Sequence, residues 1–420
     1  MKTLVSKRRI AAVLLAVVML FALSACGASN APTPADNSNQ QSETTPADNT
    51  APANEPDKEP EKEPEQEPEK EGPEPQPADI TVTDMSGDEV TINLPVKSII
   101  NLWPAGTSSF FVMGAGDLIS GVANNGPGAM NSWTKFFYPG CADIPVLSGT
   151  APTIEEVIAL NPDLVIIHPT TAKDGMAQTI RESGIPAINI NFTNYETMTK
   201  AYTMLTQILD DEYASKLNTW CAEVGELIAK NQELTKDLTE ADRPVVYYIS
   251  GQNDQLTTTM ASNSIVQDWV ELCGGQYATA IIELNGSSTF GTEITPEAVF
   301  ELDPDVIIVG GVNQHILMKA LQETDGWKDL KAVKDGRVYN NPYGCFNWDR
   351  FGLESRLQIE YGLMCIQPDI AKANGIDRDY MINRVMDFYS FYNGKQMTAE
   401  EAGYMLDGLQ PDGTPQIPAN

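Results

Sequence analysis

Apolar residues gather in short runs, unbroken at 164–167 and 306–309, with similar runs at 98–102, 187–190 and 244–249. A run without polar alternation marks a strand covered on both faces, the usual condition of a parallel sheet. The intervals between runs carry apolar residues at helical spacing, so strand and helix alternate and the fold class is α/β. From Asn194 to Leu238 glycine occurs once and proline not at all, while Met198, Tyr202, Leu205, Ile208, Leu217, Trp220, Val224 and Ile228 recur at helical intervals. This stretch predicts a long connector helix, or one long and one short, between two lobes, each with a mainly parallel sheet flanked by helices.

The lobes are related by an internal repeat. Residues Thr153 to Ile167 align with Thr295 to Val309 at a fixed offset of 142, with Thr, Glu, Val, Leu, Pro, Asp and one Ile coinciding. Each copy predicts a helix capped by its Thr. Glu156 completes a capping box in the first copy, and Pro296 takes the first helical position in the second. Pro162 and Pro304 end the helices, and a strand follows. In open parallel sheets, ligands collect beyond the carboxyl ends of the strands. Candidate contacts are therefore Trp103, Pro104, His168, Asn191 and Phe192 in the first lobe, and Ser250, Gly251, Gln252, Gly311, Asn313, Gln314 and His315 in the second.

The N-terminal portion is of another kind. Lys2, Lys7, Arg8 and Arg9 precede an apolar run from Ile10 to Leu23, too short at about 14 residues to cross a bilayer, which needs about 20. It reads as an export signal. Leu23-Ser24-Ala25-Cys26 resembles the lipobox of bacterial lipoproteins, which implies acylation of Cys26 and anchoring to the extracytoplasmic face of the cell membrane. Residues 27–78 lack aromatic and large aliphatic side chains and repeat Pro every fourth position among glutamates, which predicts an extended, disordered tether. The expected organisation is signal 1–26, tether 27–78, first lobe 79–193, connector 194–240 and second lobe 241–420. With a formal charge of −31, nucleic acid is excluded as a partner. The cysteines after Cys26 number five and lack CxxC spacing, so buried free thiols are expected rather than zinc or redox chemistry.

The segment Pro152-Thr-Ile-Glu-Glu-Val-Ile-Ala-Leu-Asn-Pro-Asp-Leu-Val-Ile resembles the substrate-binding proteins of ABC importers for iron siderophores, haem and cobalamin. So do Ile99-Ile-Asn-Leu-Trp-Pro-Ala-Gly-Thr before it, Gly114-Ala-Gly-Asp-Leu-Ile-Ser-Gly-Val, and the late segment Trp327 to Tyr339. The resemblance runs from about Ile80 to Leu406. It implies a monomeric receptor without cofactor or catalysis, which captures a metal chelate between its lobes and delivers it to the transmembrane permease subunits. It also implies that Glu155 and Glu297 dock to permease arginines, although an acidic residue in a helix's first turn also serves the helix dipole. Tyr343-Gly-Cys-Phe-Asn-Trp-Asp-Arg350 resembles a binding loop of the family. Trp103, Tyr343, Phe346 and Trp348 would form apolar walls, and Arg350 would meet an acidic group on the ligand. A ferric siderophore is the first expectation and a corrinoid the second, with haem also open. Two histidines are too few for a bare zinc or manganese site. The chain contains no G-x-S-x-G, H-E-x-x-H or Walker sequence, so a grafted hydrolase is disfavoured, and an adhesive surface lipoprotein remains the alternative.

Overall fold

The computed structural model describes residues 78–123, 130–148, 152–168, 175–286 and 291–416. Gly72–Asn420 form one compact unit. The expected signal, Cys26 and the tether lie outside the described residues.

An antiparallel hairpin opens the fold, β1 (Ala78–Thr83) with β2 (Glu89–Leu94). The first lobe continues with β3 (Ile99–Asn101), α1 (Pro104–Val112), β4 (Ile119–Ala123), α2 (Ser132–Phe137), β5 (Val146–Leu147), α3 (Ile154–Ala159), β6 (Leu164–Ile167), α4 (Met176–Glu182) and β7 (Ala187–Asn189). Its sheet is wholly parallel, in the order β5-β4-β3-β6-β7. The connector divides into α5 (Tyr195–Leu205) and the 25-residue α6 (Asp211–Thr235). The second lobe holds β8 (Val245–Ile249), β9 (Thr258–Met260), α7 (Ile265–Leu272), β10 (Gln276–Tyr277), α8 (Ala278–Ile281), β11 (Gly291–Glu293), α9 (Pro296–Leu302), β12 (Val306–Val309), α10 (Gln314–Glu323), α11 (Lys331–Lys334) and β13 (Val338–Asn340). Four of these strands form a parallel sheet in the order β10-β8-β12-β13, and β9 pairs antiparallel with β11. Four helices finish the chain: α12 (Ser355–Ile366), α13 (Pro368–Ala373), α14 (Arg378–Tyr392) and α15 (Ala399–Leu406).

The unbroken apolar runs have a direct cause. Alternate residues of β6 and β12 enter different cores: Leu164, Ile166, Val306 and Ile308 face the large central core, whereas Val165, Ile167, Ile307 and Val309 face the outer layer of their own lobe. Both faces are covered, so no position tolerates a polar side chain.

The repeat extends to the backbone. Thr153 and Glu156 form the expected capping box, and Thr295 caps α9 with Pro296 at its first position. Asn161 and Asp303, at equivalent places, take positive φ of 46° and 39°, a region Asn and Asp tolerate better than most residues. Two residues later, Asp163 accepts the backbone N–H of Lys97 at 2.9 Å, and its counterpart Asp305 accepts that of Val245 at 2.8 Å. Each aspartate thus sets its helix–strand unit against the strand beside it.

The central core is continuous from the first-lobe sheet through α6 to the second-lobe sheet. Along α6 the buried residues Leu217, Trp220, Val224, Leu227, Asn231 and Thr235 fall on one face. The Trp220 indole donates to the Leu353 carbonyl at 2.8 Å. The C-terminal helices return to the first lobe: Tyr389 stacks on Phe137 with centroids 4.0 Å apart, Asn393 donates to the Phe111 carbonyl, and the Trp133 indole donates to that of Leu409. These contacts tie the C-terminal region to both the connector and the first lobe.

Candidate functional site

In the first lobe, the carboxyl ends of β3, β6 and β7 bring Trp103, His168 and Phe192 into one aromatic cluster. Asn101 Oδ1 accepts the Trp103 backbone N–H at 3.0 Å and turns the chain into α1, where Pro104 is half-buried at the first position. The Trp103 indole stacks on the His168 ring at 3.9 Å and 21°, and meets Phe192 edge-on at 5.0 Å. Phe351 of the second lobe closes the cluster, 5.2 Å from Trp103. Burial pulls the His168 imidazole down to about 4, against the opposing effect of a hydrogen bond with the Phe192 backbone, so the ring is neutral at physiological pH. Asn191 is exposed beside it.

In the second lobe, Ser250 is half-buried and donates its backbone N–H to Thr258 at 2.9 Å. Gly251 is required, because a Cβ there would lie 1.8 Å from the Gln255 carbonyl oxygen; Gln252 is exposed. At the end of β12, Asn313 and Gln314 are buried, with no hydrogen-bond partner at Asn313 Oδ1, and His315 is exposed. The two histidines belong to different lobes. Among the described residues, no group of three or more His, Cys, Asp or Glu is placed to hold a metal ion.

The loop from Tyr343 to Arg350 is held from beneath. Cys345 and Phe346 donate their backbone N–H groups to the Glu354 carboxylate, both at 2.8 Å, and the Tyr389 hydroxyl also donates to it. Burial pushes the Glu354 carboxyl up to about 7 despite these donors. From the first lobe, Asn131 Nδ2 donates to the carbonyls of Gly344 at 3.0 Å and Cys345 at 2.9 Å. Tyr343 and Trp348 are packed inside the protein, at 2% and 0% exposure, while Phe346 is half-buried. Trp103, at 6%, is likewise largely enclosed. Of the four anticipated aromatic walls, Phe346 thus displays the most surface.

Arg350 approaches the carboxyl end of β8. Its Nε donates to Asp349 Oδ2 at 2.8 Å and its guanidinium stands 5.9 Å from the Tyr248 ring centroid. Asp349 also accepts from the Tyr248 hydroxyl and, at 2.8 Å, from Asn341. The Arg350 charge is therefore compensated close by, and a strongly anionic ligand would have to compete with Asp349 for it. Tyr248, Asn131, Asp349 and Glu354 were not anticipated from sequence. Their importance arises from partners more than a hundred residues away in the first two cases. For the other two, the only hint was their place within the aromatic loop, for Asp349, or just after it, for Glu354.

Glu155 and Glu297 are both exposed in the first turns of α3 and α9. Each helix turns back directly into its strand, β6 or β12, and so begins at the carboxyl edge of its sheet. Neighbouring Glu156 is differently engaged: hydrogen bonds from the Ser148 side chain and the Thr153 backbone hold its carboxyl down near 2.

Two parallel sheets joined by a helical connector, with a duplicated helix–strand unit, match a known architecture. Residues 122–342 match the model of the periplasmic binding protein family. The chain belongs to that family. This binding protein is similar to an uncharacterised ABC transporter substrate-binding lipoprotein of Bacillus subtilis, at 24% identity over 269 residues, 62% of the chain and 77% of the relative. It is also 24% identical over 235 residues to a cobalamin-binding protein of Halobacterium salinarum, covering 55% of the chain and 58% of that relative. Among solved structures, a periplasmic solute binding protein from Veillonella parvula aligns with a TM-score of 0.64 at 24% identity, over 80% of this chain and 99% of that one. The molybdate periplasmic binding protein of Haemophilus influenzae aligns equally well, at 17% identity over 76% and 99%. At these identities the structural matches establish the fold. Among the described residues of this binding protein, no helix is long and apolar enough to cross a membrane.

Proposed function

We propose that this protein is the solute receptor of an ABC importer, anchored through lipid on Cys26 to the extracytoplasmic face of the membrane. It captures a metal chelate between the carboxyl edges of its two sheets and delivers it to the permease without making or breaking a bond. The observation that carries this reading is the duplication of an exposed glutamate, Glu155 and Glu297, on equivalent helices at the edges where the candidate loops gather. Two carboxylates on rigid elements give a membrane partner both registry and orientation.

The ligand is a chelate of low net charge, first a ferric hydroxamate siderophore. Arg350 is compensated by Asp349 and His168 is neutral, so the described walls offer little net positive charge to a catecholate complex. A corrinoid is the second reading, favoured by the likeness to the cobalamin-binding relative. Phe346, Asn191, Ser250, Gln252 and Asn313 are the contacts proposed beside the aromatic cluster. Tryptophan fluorescence titration with ferric hydroxamates, ferric catecholates, ferric citrate, haem and cobalamin tests the assignment. Saturable quenching by a hydroxamate or a corrinoid supports it; preference for a catecholate or citrate refutes the low-charge reading.

A further inference from the structure

Five large apolar side chains stand exposed among the described residues: Val146, Ile158, Ile281, Phe300 and Phe391. Ile158 and Phe300 share an origin, because they occupy equivalent positions of the internal repeat at the offset of 142. Each is 37% exposed. Each also follows its exposed glutamate by three positions on a helix, Glu155 to Ile158 on α3 and Glu297 to Phe300 on α9, and residues so spaced lie on one face. The two lobes therefore display the same pair, a carboxylate with an apolar side chain one turn further along.

Neither apolar residue is fully enclosed by its lobe. Val157 and Val299, the preceding positions, are fully buried and fill the core beneath their helices. Phe300 meets Trp327 edge-on at 5.4 Å and lies against Gly326, yet keeps 37% of its surface open to solvent. Retention of a large apolar group at the same exposed place in both copies, one turn from the shared glutamate, calls for a partner. Single exposed apolar residues are ordinary, but matched ones beside matched charges are not.

We infer that Ile158 and Phe300 are the apolar half of a two-point docking surface for an integral membrane partner whose contact patches set Arg or Lys among apolar side chains. This rests on the proposed role of Glu155 and Glu297. Charge complementarity selects the occupant: a second copy of this chain, at −31, would bring carboxylate against carboxylate, whereas a basic patch pairs with both tips. The apolar side chain then has a physical task. An exposed ion pair is weak because water screens it, and apolar contact around it excludes that water and strengthens it.

The test is photo-crosslinking of the full-length anchored chain in its host cell, with p-benzoylphenylalanine placed at 155, 158, 297 or 300, and at 391 as an exposed apolar control. Positions 158 and 300 should both give adducts to one polytopic membrane protein, on peptides containing Arg or Lys, with none from 391. These adducts should be lost when Glu155→Ala and Glu297→Ala are combined in the same chain. Adducts from 155 and 297 but not from 158 and 300 overturn this inference and leave glutamate docking intact. Adducts from none of the four overturn both, and adducts to a second copy, or equal yield from 391, overturn the choice of partner.

Discussion

Asn131 of the first lobe donates its side-chain amide to the Cys345 carbonyl of the second, 2.9 Å away and 214 positions along the chain. Its other amide atom accepts from Thr134 and caps α2. One buried side chain thus both begins a helix and fastens the aromatic loop across the lobe boundary. Replacing it by alanine leaves two buried carbonyls without this donor, and a buried unmet group costs roughly 1–3 kcal/mol. Asn131→Ala should lower the urea midpoint by a corresponding amount, with the loop signals of Phe346 and Trp348 shifted in the NMR spectrum.

Glu354 and His168 give opposing pH dependences. The Glu354 carboxyl titrates near 7 when folded and near 4.5 when unfolded, so in that window the folded protein binds the extra proton. Its contribution is present at low pH and declines by roughly 3 kcal/mol as pH rises through the window. Glu354→Gln removes this decline, which urea unfolding at a series of pH values detects as a difference from the parent protein.

His168 acts in the reverse sense. Its imidazole titrates near 4 when folded against 6.5 when free, so between those values the unfolded chain binds the extra proton. Stability is lost as pH falls through that range, by roughly 3 kcal/mol in full. His168→Phe should remove this acid loss while keeping a ring against Trp103. In the parent protein, the His168 imidazole NMR signals should show no titration through the neutral range.

Arg350 is predicted to be chiefly a partner of Asp349, whose carboxylate is fully enclosed. Arg350→Met would leave a buried carboxylate without its cation, a change that commonly costs 3–5 kcal/mol. The double variant with Asp349→Asn should recover much of that loss. Calorimetric melting of the two variants measures the recovery, and the affinity of the double variant for a low-charge chelate should remain within several-fold of the parent's.

What the sequence made legible was the repeated, local part of the molecule. The runs at 164–167 and 306–309 announced buried parallel strands because both faces of each are packed, and the Thr caps, Glu156 and Pro296 marked the helix starts at single-residue accuracy. The hairpin of β1 and β2 was not read, since its alternation places only Val82, Val90 and Ile92 inward. Nor could composition distinguish the enclosed Tyr343 and Trp348 from the half-buried Phe346 in the same loop. That difference depends on Glu354 at the N-cap of the following helix, on Tyr389 from α14 and on Asn131 from the other lobe. Such groupings are set by tertiary closure, which local pattern does not encode.

The central claim is that the ligand site and the two glutamate tips are separate parts of one receptor. It is tested most directly by combining Glu155→Ala with Glu297→Ala and measuring, on that variant, both chelate affinity by fluorescence titration and uptake of the same radiolabelled chelate by cells. The account predicts unchanged affinity with uptake abolished. Undiminished uptake, or an affinity loss large enough to explain the uptake loss, would contradict it.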